Sequence, residues 1–117
     1  MARVAEADLR DFVEMLLASL GTPARYTAVA ADALVSADTD GVASHGVMLL
    51  PMYVDRIRAG SVNAAAVPQI VEDLGGLVTL SAQHGLGQVS SQLAVDLVTE
   101  RAGIHGAAVI AVRDGFH

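Results

Sequence analysis

The chain has 117 residues, no cysteine, and a formal charge of −6 from seven basic and thirteen acidic residues. Its length suits one small domain, and the absence of cysteine excludes disulfides and thiolate metal sites and favours a cytoplasmic protein. Since the chain lacks a basic cluster, a long apolar run and a signal peptide, we expect neither nucleic acid nor a membrane as partner.

Two helices are predicted in the first forty residues. Apolar residues recur at helical spacing over residues 9–20, and Gly21 supplies a stop. Thr22 is predicted to cap the second helix, with Pro23 in its first turn and the turn signal Asp40-Gly41 at its end. Its predicted inner face comprises Val29 or Ala30, Ala33, Leu34 and Ala37.

A third helix is predicted after Ser44, which would cap it and place His45 at the first helical position. Pro51 should kink or restart this helix, and Gly60 is the expected terminator. The region 1–60 therefore reads as an N-terminal helical region. Its third helix has a predicted apolar face of Val47, Leu50, Tyr53 or Val54, and Ile57.

Residues 61–117 have a different texture, which predicts the start of an α/β catalytic core. Strands are expected at 69–73 and 77–82, joined by a tight hairpin turn. A helix at 88–101 should end at Gly103. The run 107–112 predicts a strand buried on both sides. Such a strand needs more neighbours than this chain supplies, so we expect further sheet from another polypeptide or from a continuation of this one.

His45 is the most interesting of the four histidines. At a helix start it would lie beside unpaired backbone N–H groups that favour an anion such as a carboxylate. The same field disfavours imidazolium, which suits acid/base chemistry near neutrality. Gly46 would let a ligand approach the backbone closely.

The other histidines carry weaker signals. His84 and His105 read as turn or loop residues, whereas His117 follows the last strand, at the edge where open α/β sheets bind ligands. Gly85-Leu86-Gly87 resembles the start of a dinucleotide fingerprint but lacks its third glycine. The histidines share neither i, i+4 spacing nor a carboxylate cluster, so we expect no metal.

Two stretches resemble the malate/L-lactate dehydrogenase type 2 family, whose members include ureidoglycolate, sulfolactate and diketogulonate oxidoreductases and cyclic-imine reductases. The first is DTDGVASHGVMLLPMYVDRIRAGSVN, which carries Asp-x-x-Gly-x-x-Ser-His-Gly and then Tyr-x-x-x-Ile-x-x-Gly. The second is GLGQVSSQLAVDLVTERAGIHGAAVIAVRDGFH. Together they are similar to the N-terminal portion of a family member.

The resemblance implies a non-Rossmann α/β oxidoreductase that uses NAD or NADP. It would interconvert a 2-hydroxy acid and a 2-oxo acid, or reduce a cyclic 2-imino acid. By resemblance, His45 is the proton donor and acceptor, His117 lies by nicotinamide and substrate, and Ser44 is an active-site neighbour. The family also implies a homodimer.

The sequence departs from the family at three points. Many relatives have arginine where this chain has Leu49, so we consider Arg56 as an alternative group for the substrate carboxylate. Asp114-Gly115-Phe116 replaces a common Asn-Ser-Asn. The resemblance also covers only about the first third of a family member, so a complementary C-terminal chain is the expected partner. The alternative is a non-catalytic small α/β domain that mediates protein–protein association.

Overall fold

The computed structural model describes residues 2–116 and contains helices followed by a small sheet. A first unit ends at Ala65 and a second begins at Ala66. Two 3₁₀ turns, Ala43–His45 and Val47–Leu49, lie between the second and third helices. The predicted mixed α/β class is confirmed. The elements are α1 (Glu6–Ser19), α2 (Ala24–Thr39), α3 (Leu50–Arg58), β1 (Gln69–Asp73), β2 (Leu77–Ser81), α4 (Gly87–His105) and β3 (Val109–Arg113).

The core of the first unit lies where α1 packs against α2. Small side chains on α2 leave room for the larger side chains of α1, and the burial of these larger side chains stabilises the helix pair. Ala33, predicted on the inner face, is exposed, because that face is rotated toward Ala31 and Val35. Arg10 of α1 also binds Asp32 of α2 at 2.5 Å. The buried residues of the two helices are Val13, Leu17, Thr27, Ala30, Ala31, Leu34 and Val35.

The second helix begins one residue later than predicted. Pro23, in extended conformation, is the N-cap residue, and its carbonyl accepts hydrogen bonds from Tyr26 and Thr27 N–H at 2.8 and 3.1 Å. Thr22 was therefore wrongly predicted as the cap. Its side chain is buried, and its hydroxyl has no hydrogen-bond partner among the described residues.

The second unit is a three-stranded sheet in the order β1-β2-β3 with α4 packed against β2 and β3. β1 and β2 are antiparallel, which confirms the predicted hairpin, and Gly75 in its turn has φ +84°. β2 and β3 are parallel, so α4 is the crossover that such pairing requires. No helix among the described residues is long and apolar enough to cross a bilayer.

Strand β3 differs from its prediction. It was expected to be buried on both sides, yet only Ile110 is partly covered, and Val109 is 61% exposed. The reason is topological: within residues 2–116, β3 pairs with β2 alone and lies at the edge of the sheet. Its apolar sequence therefore exceeds the cover that this part of the chain provides.

Helix α4 is longer than predicted and clamps the hairpin. Gly103 lies inside it, and His105, expected in a loop, is its last residue before left-handed Gly106. Arg101 donates to both carboxylate oxygens of Asp73, at 2.6 and 2.7 Å, and to the Gly75 carbonyl at 3.0 Å. This pairing lowers the pKa of Asp73 to about 2 and raises the pKa of Arg101.

Candidate functional site

The Ser44-His45-Gly46 segment is held against the C-terminal turn of α2. Val42 N–H donates to the Ala37 carbonyl at 2.8 Å, which fixes the start of the segment. Next, His45 N–H donates to the Val42 carbonyl at 3.0 Å, and Gly46 N–H donates to the Ala43 carbonyl at 3.1 Å. These two hydrogen bonds form the first 3₁₀ turn. Backbone hydrogen bonds thus define the position of His45 although Ser44 and His45 are exposed.

Ser44 and His45 form a direct side-chain pair. Ser44 Oγ lies 2.9 Å from His45 Nδ1, and both residues are exposed. A hydroxyl can donate or accept, so this contact suits either protonation state of the ring. The contact leaves Nε2 as the ring nitrogen that can meet a ligand from solvent.

The local structure around this pair differs from the prediction. Ser44 is not a helix cap and His45 is not at a helix start, because α3 begins only at Leu50. Pro51 explains the delay, since its missing N–H and fixed φ suit the first turn of a helix. The helix-end field expected at His45 therefore does not arise, and the prediction of an anion site based on that field was wrong.

Asp38 closes the other end of the segment. Its Oδ2 accepts the Val47 N–H at 2.9 Å. The same carboxylate fills the space beside the Gly46 Cα, so a Cβ at Gly46 would collide with it. Gly46 was expected to admit a ligand, but on this side it admits Asp38. Its role in substrate binding stays a prediction.

Asp38 was missed as a functional candidate. It is the first residue of the Asp-x-x-Gly-x-x-Ser-His-Gly pattern, so its spacing was visible, but spacing alone does not show which N–H a carboxylate accepts. A free N–H at the start of the Val47–Leu49 turn is the physical need that it meets.

Arg56 lies on a different element from the Ser44-His45 pair. It lies in the last turn of α3, six residues after Leu50, which corresponds to about 9 Å along a helix axis. Its guanidinium has no ion pair within residues 2–116, and the side chain is exposed. Leu49 is partly buried at the end of the second 3₁₀ turn. Carboxylate binding by Arg56 stays a prediction.

The second unit has its own polar cluster, where the parallel strands β2 and β3 end. Ser81 donates to Asp114 Oδ2 at 3.1 Å and accepts from the side chain of Gln83 at 3.1 Å. Gln83, His84 and Asp114 all have left-handed backbones, with φ of 53°, 59° and 57°. Strained non-glycine residues are typical of functional loops, and this is the sheet edge where α/β proteins bind ligands.

Gly85, in the loop between β2 and α4, forms backbone hydrogen bonds within the second unit. Gly85 N–H donates to Ala82 at 2.9 Å, and the Gly85 carbonyl accepts Phe116 N–H at 3.3 Å. The loop is thus a turn, as predicted. His117, predicted here as a catalytic and cofactor-binding residue, lies outside the described residues.

Charge in the described part of the chain does not gather into a metal centre. Among residues 2–116, no three His, Asp or Glu side chains are grouped closely enough to hold an ion. Hydrogen bonds with Asp32 and Glu6 raise the pKa of Arg10, and the hydrogen bond from Arg101 lowers the pKa of Asp73. The chemistry available at the Ser44-His45 pair is proton transfer.

An exposed, hydroxyl-paired histidine is a side chain that can exchange protons near neutral pH, and comparison with known proteins gives the family. The chain belongs to the malate/L-lactate dehydrogenase family, whose model matches residues 4–117. It is 36% identical to Pyrococcus abyssi malate dehydrogenase over 98% of this chain and 32% of that one.

Two further relatives widen the comparison. The Pseudomonas putida Δ1-pyrroline-2-carboxylate/Δ1-piperideine-2-carboxylate reductase is 30% identical over all of this chain and 34% of its own. The structure of Pyrococcus horikoshii malate dehydrogenase superposes with a TM-score of 0.93, at 33% identity, covering 99% of this chain and 33% of that one. The chain therefore spans about a third of the length of these relatives, which confirms the similarity to an N-terminal portion.

Proposed function

We propose that this chain forms the N-terminal part of an NAD- or NADP-dependent oxidoreductase that interconverts a small 2-hydroxy acid and its 2-oxo acid. Reduction of a cyclic 2-imino acid is the same chemistry at C=N. The observation that carries the proposal is the Ser44–His45 pair, whose Oγ and Nδ1 atoms lie 2.9 Å apart on an exposed turn. The family to which the chain belongs contains malate dehydrogenases and an imino acid reductase.

The proton in this reaction is assigned to His45. During reduction, Nε2 gives a proton to the substrate oxygen or nitrogen; during oxidation it removes the hydroxyl proton. Because only Nε2 gains or loses this proton, Nδ1 keeps its N–H and donates it to the Ser44 hydroxyl oxygen in both states of the ring. Ser44 therefore keeps the ring oriented in both directions of the reaction.

A bound nicotinamide would supply or accept the hydride at the substrate carbon. The Gly85–Gly87 turn does not fit the pyrophosphate of this cofactor, because it lacks the third glycine of the fingerprint and its Gly85 N–H and carbonyl form internal hydrogen bonds. His117 and the unmatched two thirds of the relatives' length are the proposed sources of cofactor contacts.

The remaining assignments follow from the family and belong to this proposal. Residues 1–60 form the helical region and 61–117 the start of the catalytic core. Arg56 and Gly46 contact the substrate, and the protein acts as a cytoplasmic homodimer with a complementary C-terminal chain. A non-catalytic association domain, the alternative, is not favoured, because the relatives are dehydrogenases and reductases.

The test is replacement of His45 by alanine in the native, cofactor-competent protein. General acid–base catalysis contributes about 10²- to 10⁴-fold, so kcat should fall by that factor while affinity for NADH or NADPH is retained. Stopped-flow loss of nicotinamide absorbance with pyruvate, oxaloacetate and piperideine-2-carboxylate provides the measurement. His105→Ala, a histidine at the end of α4, is the matched control. Equal turnover in both variants would remove His45 from the mechanism.

A further inference from the structure

The anchoring of the Ser44-His45-Gly46 turn points to a residue outside the pair itself. We infer that Asp38 is a positioning residue, whose carboxylate fixes the backbone that carries His45. The inference rests on the proposed function for its catalytic consequence, but its structural part can be measured separately.

Asp38 supplies the last of three fixed points around the turn. Its own carbonyl accepts Gly41 N–H at 3.1 Å, and the Ala37 carbonyl accepts Val42 N–H at 2.8 Å. These two bonds attach the near end of the segment to α2. The Asp38 carboxylate attaches the far end by accepting Val47 N–H at 2.9 Å. One residue of α2 therefore holds both sides of the loop that contains His45.

The close contact with Gly46 makes this attachment geometrically demanding. The Asp38 carboxylate occupies the place of a Gly46 side chain, and Gly46 is buried while its neighbours Ser44 and His45 are exposed. The carboxylate thus limits the approach of the turn to α2 as well as binding it. Without this group the N–H of Val47 loses its partner and a gap opens beside Gly46.

Loss of this anchor should affect catalysis more than substrate binding. His45 must hold its Nε2 within hydrogen-bond reach of the reacting atom, and a displacement of about 1 Å can reduce rates on the order of 10²-fold. Ser44 moves with the same turn, so the pair can remain formed while its position changes. We therefore expect a fall in kcat with little change in cofactor affinity.

The experiment compares Asp38→Ala, Asp38→Asn and the control Asp40→Ala in the native protein. Asparagine retains an oxygen that can accept Val47 N–H, whereas alanine does not. Asp40 is an exposed carboxylate at the same end of α2. We expect kcat to fall roughly 10- to 100-fold in Asp38→Ala, to recover within a few-fold in Asp38→Asn, and to be unchanged in Asp40→Ala.

A second readout is the NMR spectrum of the histidine rings, which requires no substrate. In Asp38→Ala, the ring signals of His45 should move or broaden while those of His84 and His105 stay in place. Wild-type kcat in Asp38→Ala, failure of asparagine to rescue, or an unchanged His45 signal would overturn the inference. If instead the wild-type protein reduces none of the acids, the proposed function fails, and the ring spectra alone decide whether Asp38 positions His45.

Discussion

Ser81 at the end of β2 donates a hydrogen bond to Asp114 just after β3, across 3.1 Å. The bond connects the carboxyl ends of two parallel strands. A backbone hydrogen bond adds a second connection, since His84 N–H donates to the Asp114 carbonyl at 2.9 Å. Since Ser81 is only 2% exposed, the Asp114 carboxylate satisfies a buried hydroxyl. The polar cluster at this edge is therefore also part of the fold.

Asp114 should consequently tolerate asparagine but not alanine. Asparagine adopts left-handed backbone readily and can accept the Ser81 hydrogen bond, whereas alanine loses the bond and strains at φ 57°. We expect Asp114→Ala to lower the free energy of unfolding by about 1–3 kcal/mol and Asp114→Asn to change it little. Asp114→Gly, which keeps only the backbone freedom, should fall between them in urea unfolding. Equal stability of the three variants would contradict this account.

Ser44→Ala tests the orientation of His45 without removing the ring. Loss of one hydrogen bond corresponds to about 0.5–1.5 kcal/mol, so kcat/KM should fall about 2- to 10-fold, far less than in His45→Ala. Steady-state kinetics beside Ser91→Ala, an exposed serine on α4, isolates the effect. A loss as large as that of His45→Ala would mean that Ser44 does more than orient the ring.

Gly46→Ala should destabilise the first unit because the added Cβ meets the Asp38 carboxylate. We expect a loss of about 1–3 kcal/mol in the free energy of unfolding. Gly103→Ala is the control: this glycine lies within α4 with open space beside it, so alanine there should stabilise by about 0.5–1 kcal/mol. Asp38→Ala should relieve the Gly46→Ala penalty, and strictly additive effects in thermal unfolding would contradict the clash.

The Arg101–Asp73 clamp predicts a specific acid sensitivity. Pairing lowers the pKa of Asp73 from 3.8 to about 2. A carboxyl whose pKa is lower in the folded state than in the unfolded state stabilises the fold at any pH above the unfolded-state pKa. That contribution is lost as the pH falls from about 4 toward 2. The stability difference between wild type and Asp73→Asn should therefore shrink over this range in urea titrations. A difference that is constant from pH 5 to pH 2 would exclude the clamp as its source.

Much of the architecture could be predicted because it depends on local patterns. Within residues 2–116, sequence patterns predicted the four α-helices and the three strands but not the two 3₁₀ turns, and the turn glycines Gly21, Gly41 and Gly60 have the positive φ that chain reversal needs. The helix starts were predicted less well. Thr22 and Ser44 are good capping residues, but each precedes a proline or a 3₁₀ turn that shifts the actual start, and such competition is not visible in spacing.

The candidate site was only half visible in the sequence. The sequence context of His45, between Ser44 and Gly46, indicated a candidate acid/base residue, and the family resemblance strengthened this prediction. The partners that fix its geometry, Asp38 at the end of α2 and the Ser44 hydroxyl at Nδ1, emerge only when the backbone is placed. Asp114 follows the same rule, because its bond to Ser81 spans 33 positions in the sequence.

The exposed strand β3 has a practical consequence for handling this polypeptide. An apolar strand with an open edge is a template for pairing with an identical strand. The exposed apolar side chains of Val109 and Val112 favour such pairing. The formal charge of −6 opposes such pairing through mutual repulsion, which salt screens. The 117-residue chain prepared by itself should therefore stay dispersed in dilute, low-salt buffer and self-associate as salt and concentration rise.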